Sequence, residues 1–107
     1  MNMYDYTSMI GLLMQKHGLL DRGWTHGLCK RRKPFSRAGV CSTVKKRIDL
    51  QPTFIELNDP ELVHSTILHE IAHALTPKHG HNKFWKRKAI EVGHSGKRCY
   101  SDSVKRQ

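Results

Sequence analysis

Asp59-Pro60-Glu61-Leu62-Val63-His64-Ser65-Thr66-Ile67-Leu68-His69-Glu70-Ile71-Ala72-His73-Ala74-Leu75 is the stretch whose reading decides the fold. It opens with an Asp placed to cap a helix, a Pro in the first turn and a carboxylate near the positive helix end. A helix over 60–75 follows. Val63, Ile67, Leu68, Ile71, Ala74 and Leu75 then share one broad arc. Leu62, Thr66, His69 and His73 fall on the other side. His64 lies near the apolar arc and reads as a structural or surface histidine. Within the helix, His69-Glu70-Ile71-Ala72-His73 has the pattern His-Glu-x-x-His. Residues four apart lie one turn apart on one face, so His69 and His73 can offer two imidazole nitrogens to one zinc ion. Glu70 is rotated by roughly 100° from His69. It flanks the metal without having to bind it, where a general base for the attacking water belongs.

A catalytic zinc needs a third protein ligand and an open position. His79 and His81 both stand close after the helix, which Thr76-Pro77 ends. The spacing from His73 to His79 is that of metzincins, but those need Gly where Thr76 stands. Glu91 is a carboxylate option further along. Asn82 can cap a closing helix to about Val92, with Trp85, Ala89 and Val92 inward and Gly93 as the stop. Lys83, Lys86, Arg87 and Lys88 make its outer side basic.

Upstream, Asp5 to Lys16 reads as a first helix. Tyr6, Met9, Ile10, Leu13 and Met14 recur at helical spacing and Leu12 extends the apolar side. Asp5 is an acceptable N-cap and Gly18 a stop. Between them and the metal helix, Trp24–Cys29, Ala38–Thr43 and Lys46–Leu50 alternate apolar and polar residues between turn signals. They predict three short antiparallel strands. Residues 51–58 connect sheet to helix, with Phe54, Ile55 and Leu57 packing. The fold class is α+β: N-terminal helix, short three-stranded antiparallel sheet, metal helix, closing helix. Arg98-Cys99-Tyr100 is read as a return to the sheet and the last residues as a fraying tail.

The chain has 107 residues, the size of a single domain, here 1–107 with a core over about 5–100 and a basic tail over 101–107. No run of apolar residues is long enough for a membrane span. The N-terminus has no basic region followed by an apolar stretch, the mark of a secretory signal. Cys29, Cys41 and Cys99 are odd in number and widely spaced. They read as small, partly buried apolar groups in a reducing cytoplasm. The formal net charge of +10 favours polyanionic partners, nucleic acid first. From Lys30 to Arg47 there are eight Lys or Arg and no acid. Lys30, Arg31, Arg32, Lys33 and Arg37, with Lys86 and Arg87 of the closing helix, are the candidate phosphate contacts.

Residues 67–75 together with His79-Gly80-His81-Asn82-Lys83-Phe84-Trp85 resemble the SprT-like zinc metallopeptidases, the family of SprT, Spartan and small phage members. Lys16-His17-Gly18-Leu19, Trp24, Arg37-Ala38-Gly39-Val40-Cys41 and Arg47-Ile48-Asp49-Leu50 are similar to its helix and strand pattern. In that family a ligand histidine precedes an inward aromatic by four residues. The resemblance therefore implies His81, in register with Trp85, as third ligand, with His79 the alternative. It implies a minimal zincin-like protease domain holding one catalytic zinc ion on His69, His73 and His81. Glu70 is the general base, and protein bound to nucleic acid is the substrate class, since Spartan-type members act on DNA–protein crosslinks. The oxyanion donor is unassigned; Tyr100 is a candidate, with a structural phenol the alternative. A monomer in the cytoplasm, in contact with DNA and with no membrane role, is expected. The competing reading is a DNA-binding or transcription-linked accessory protein with a structural zinc and little protease activity.

Overall fold

The computed structural model describes residues 1–30, 38–78 and 80–94. The chain forms helix α1 (Met3–Lys16), a 3-10 turn (Leu20–Arg22), strands β1 (Thr25–Leu28), β2 (Gly39–Ser42) and β3 (Arg47–Leu50), and helices α2 (Pro52–Leu57), α3 (Pro60–Leu75) and α4 (Lys83–Glu91). The architecture is α+β. Among the described residues no helix is long and apolar enough to cross a membrane.

The metal helix begins and ends where its sequence signals place it. Asp59 caps α3 by accepting the Leu62 N–H at 3.0 Å, and Pro60 fits the first turn, where no N–H is needed. Val63, Ile67 and Ile71 are fully buried against Tyr6, Ile10 and Met14 of α1 and Ile48 and Leu50 of β3. Each such side chain contributes roughly 1.5–3 kcal/mol on burial, more than any surface pair on this basic chain can. This shared face is therefore what anchors α3 to the sheet and α1.

The second face of α3 is covered as well. Ala72 packs with Trp85 and Ala89 of α4 in a separate small core. With α4 on this side and β2 on the other, Thr66, His69 and Glu70 are buried rather than facing solvent. Thr66 satisfies its hydroxyl within the helix by donating to the Leu62 carbonyl at 2.9 Å. Asn82 caps α4, its Oδ1 accepting from the N–H of Phe84 at 3.0 Å and of Trp85 at 3.3 Å. Gly93 ends it in a left-handed conformation, φ +105°, and lets the His94 N–H reach back to the Ala89 carbonyl at 2.8 Å, the closure that glycine favours.

Several expectations need correction. The sheet is mixed, not antiparallel, with strand order β1-β3-β2. β2 and β3 pair antiparallel, whereas β1 lies parallel to β3 with Thr25 opposite Arg47 and Leu28 opposite Leu50. The reason is connection length. The link over 43–46 is of hairpin size, but the link over 29–38 exceeds the two to five residues of ordinary hairpin loops. It delivers β2 to the far side of β3. Residues 52–57, expected as a plain connection, form a short helix with Phe54 and Ile55 buried, while Leu57 stays 41% exposed. Asn2, not Asp5, caps α1; its Oδ1 accepts the Asp5 N–H at 2.8 Å. Leu12 is 67% exposed and lies off the apolar face carried by Tyr6, Ile10 and Met14. The suggested return of Arg98-Cys99-Tyr100 and the tail over 101–107 fall outside the described residues.

Replacing Asp59 with Ala leaves the Leu62 N–H uncapped. The expected loss is about 1 kcal/mol, read as a lower urea midpoint at unchanged slope. A second expectation concerns acid. Burial, reinforced by the neighbouring Lys16 charge, lowers the pKa of His17, whereas in the unfolded chain it titrates near 6.5. The unfolded state therefore takes up the proton first as pH falls. Stability is fully present above about pH 6.5 and declines below it, and His17→Asn should shrink the fall in melting temperature between about pH 7 and about pH 5.5.

Candidate metal centre

α3 supplies two imidazoles and the segment before α4 supplies a third. Nε2 of His73 lies 3.3 Å from Nε2 of His69 and 3.0 Å from Nε2 of His81, and His81 and His69 are 3.1 Å apart by the same atoms. The three nitrogens thus form a small, nearly equilateral triangle. Ligands at about 2.05 Å in a tetrahedral zinc site stand about 3.3 Å from one another. The triangle fits that geometry closely, and three imidazole nitrogens at this spacing are a donor set for a cation. Among the described residues these histidines are a group that could hold a metal ion. His69 is buried, His73 half-buried and His81 exposed, so the cluster runs from the interior to solvent and has an open side.

Trp85 is the support behind the triangle. It is 1% exposed, and its ring centroid lies 4.8 Å from that of His69, 5.3 Å from that of His73 and 4.8 Å from that of His81. It is nearly parallel to the His73 ring, at 26°. Its Nε1–H donates a long hydrogen bond, 3.4 Å, to the His69 carbonyl. One indole therefore fixes three rings and ties α4 to α3. This is why the aromatic four residues after His81 matters physically.

Glu70 leaves α3 toward β2 and is 6% exposed. Gly39 makes room for it: a Cβ there would stand 3.3 Å from Glu70 Cγ and 3.2 Å from Leu50 Cδ1, tighter than side chains ordinarily pack. Cys41, two residues along the same strand face, has its thiol pKa pushed up to about 12, first by burial and then by the Glu70 charge. It is a neutral thiol, suited to packing and unsuited to nucleophilic attack. Cys29 is likewise half-buried.

Sequence reasoning did not place Gly39 and Cys41 beside Glu70. The signal was there in the Gly-x-Cys alternation, since positions two apart on a strand share a face. It also gave His94 no role. In the structure His94 is 5% exposed, with its ring 5.4 Å from that of His69 and 6.0 Å from that of Trp85. Its position directly after the helix-ending Gly93 is the signal that would have found it. Of the other candidates, Lys30, Lys86 and Arg87 are exposed. Arg31, Arg32, Lys33 and Arg37, the alternative ligand His79, and Tyr100 and Cys99 lie outside the described residues. Glu91, the carboxylate alternative, instead pairs with Lys88 at 3.1 Å.

One equivalent of metal should bind the purified protein. His81→Ala should lose it and His79→Ala and His64→Ala should keep it, read by metal analysis after gel filtration against a weak chelator. Retention by His81→Ala together with loss from His79→Ala would reverse the choice of third ligand.

Comparison with known proteins adds a family. The SprT-like family model matches residues 21–105, a span that includes the three strands, the metal helix and the closing helix. No curated protein matches the chain. With most of its length covered, and with the three-histidine triangle inside the matched span, the chain belongs to the SprT-like family.

Proposed function

We propose that the chain is a zinc-dependent peptidase acting on proteins associated with nucleic acid. The observation that carries this reading is the convergence of the His69, His73 and His81 Nε2 atoms within 3.3 Å, with the buried Glu70 directly following His69 in α3. Among the described residues the group has three donors. Three protein ligands leave a position for substrate or water, whereas closed structural zinc sites use four. The open side at His81 favours the same reading over a purely structural ion.

When bound, zinc supplies a Lewis acid that makes water acidic near neutral pH and polarises a carbonyl. The chain's own residues do the remainder. His69 and His73 hold their geometry because Trp85 packs on both rings. The Glu70 carboxylate takes a proton from the attacking water and returns it to the departing amine. Its burial against Gly39 and Cys41 restricts the directions in which it can move. That restriction favours proton transfer along one line.

The nucleic-acid part of the proposal rests on charge. Lys86 and Arg87 sit on the outer surface of α4, beyond the Trp85 that backs the histidines, and the net charge is +10. Such a surface concentrates polyanions and the proteins bound to them.

Glu70→Gln should retain the metal and lose cleavage of a DNA-bound protein by at least two orders of magnitude, the range of a general base, and chelation should abolish cleavage in the parent. Cleavage that survives the substitution would remove Glu70 from the chemistry. Salt-dependent DNA binding with no cleavage by the metal-loaded parent would favour the accessory-protein reading.

A further inference from the structure

His69 is the most enclosed of the three histidines, and two rings enclose it. One is Trp85, with its centroid 4.8 Å away and its plane inclined by 60°. The other is His94, 5.4 Å away and inclined by 76°. Trp85 and His94 are themselves 6.0 Å apart at 62°. The three flat rings therefore meet edge to face, the inclined packing that aromatic rings prefer. His94 is buried, and the backbone sets its place. Gly93, at φ +105°, turns the chain after α4, and the His94 N–H donates to the Ala89 carbonyl at 2.8 Å. A Cβ on Gly93 would stand 3.7 Å from Leu68 Cδ1, so this turn lies against the residue that precedes His69. Trp85 comes from the first turn of α4 and His94 from just beyond its last. One short helix thus closes on His69 from both of its ends.

A ligand imidazole must point one nitrogen at the ion, yet its side chain has several staggered rotamers to choose from. Fixing one of them costs entropy, and metal binding is weaker by that cost unless the fold has already met it. Trp85 packs on all three histidines at once, so it cannot set the angle of any one of them separately. His94 bears on His69 from a second direction. The Nδ1 atom of His69, the nitrogen that does not face the triangle, is itself buried. We infer that His94 is a positioning residue for the metal. Its ring, held beyond the end of α4, locks His69 in the orientation that directs Nε2 at the ion. This role rests on the metal-centre part of the proposed function and holds whatever the substrate is. Residues that orient metal ligands are a recognised part of such sites, and here the orienting group is a ring wedged against a ring.

The test is metal binding by the full chain with no substrate present. Zinc affinity is measured by competition with a chromogenic chelator, and the absorption bands of bound Co(II) report the geometry at the ion. His94→Ala should weaken zinc by roughly ten- to hundredfold, the range for residues that orient a ligand, and shift the Co(II) bands. His94→Phe returns a flat ring to the same place and should recover most of the affinity and the parent bands. The melting temperatures of the metal-free proteins separate positioning from stability. His94→Ala that melts lower but binds zinc as the parent does would overturn the inference and leave the peptidase reading standing. If His94→Ala does not fold, His94→Gln, which has no ring, takes its place in the comparison with His94→Phe, and parent-like zinc affinity in it would overturn the inference. Equal losses in the ringless and the Phe variants would also overturn it, because the imidazole nitrogens and not the ring would then matter. Complete loss of zinc from both would make His94 a fourth ligand, closing the site and overturning the peptidase reading as well. A parent that takes up no metal would overturn the metal centre and this role with it.

Discussion

Three imidazole nitrogens within 3.3 Å of one another are an arrangement that solvent-exposed side chains do not hold unaided. Each ring has free rotation to lose, and each is a polar group better hydrated than crowded. The rest of the fold supplies what the cluster lacks. α3 must be fixed on one face by α1 and the sheet, and on the other by α4. Two separate apolar groups around one helix, one large and one built on Trp85, Ala72 and Ala89, are the structural expression of that need. A single-faced amphipathic helix would have left His69 and His73 on an open surface.

The division of labour between the two sides follows. The large core provides stability and the small one provides alignment. Ala72 is the residue that lets them coexist, since a larger side chain there would push the indole away from the rings it supports. Glu70 sits at the seam between α3 and β2, where Gly39 concedes the space of a side chain. The carboxylate is thus held by packing against the sheet, and the imidazoles by packing against a helix. The acidic and the metal-directed groups of the site rest on different parts of the molecule.

Much of this was legible in the chain. Asp59-Pro60 and Thr76-Pro77 bracket α3 because capping and proline chemistry act locally. Asn82 and Gly93 bracket α4 for the same reason. His81 was picked out through Trp85, and the structure shows the mechanical basis of that pairing, a ring centroid distance of 4.8 Å. What escaped was non-local. The order of the strands depends on where the segment over 29–38 delivers β2, which no local preference encodes. The burial of Glu70 depends on β2 coming to lie against α3. The setting of His94 depends on the chain turning back after Gly93. Asp5 is an acceptable N-cap by residue type, but Asn2 stands one turn before it and caps as well as Asp does.

The parallel pairing of β1 with β3 has a consequence for how the protein is made. β1 is synthesised before either of the other strands and has no neighbour waiting for it. β2 and β3 can zip together across a short turn as soon as both have emerged. β1 pairs with β3, the last of the three strands to be made, on the edge opposite β2. Until that moment its backbone donors and acceptors are available to any other extended chain. The Tyr6 hydroxyl, which donates to the Gly27 carbonyl at 2.7 Å, ties this early strand to the first helix. The opening residues can thus wait as one unit, helix and strand together, for the sheet to be completed.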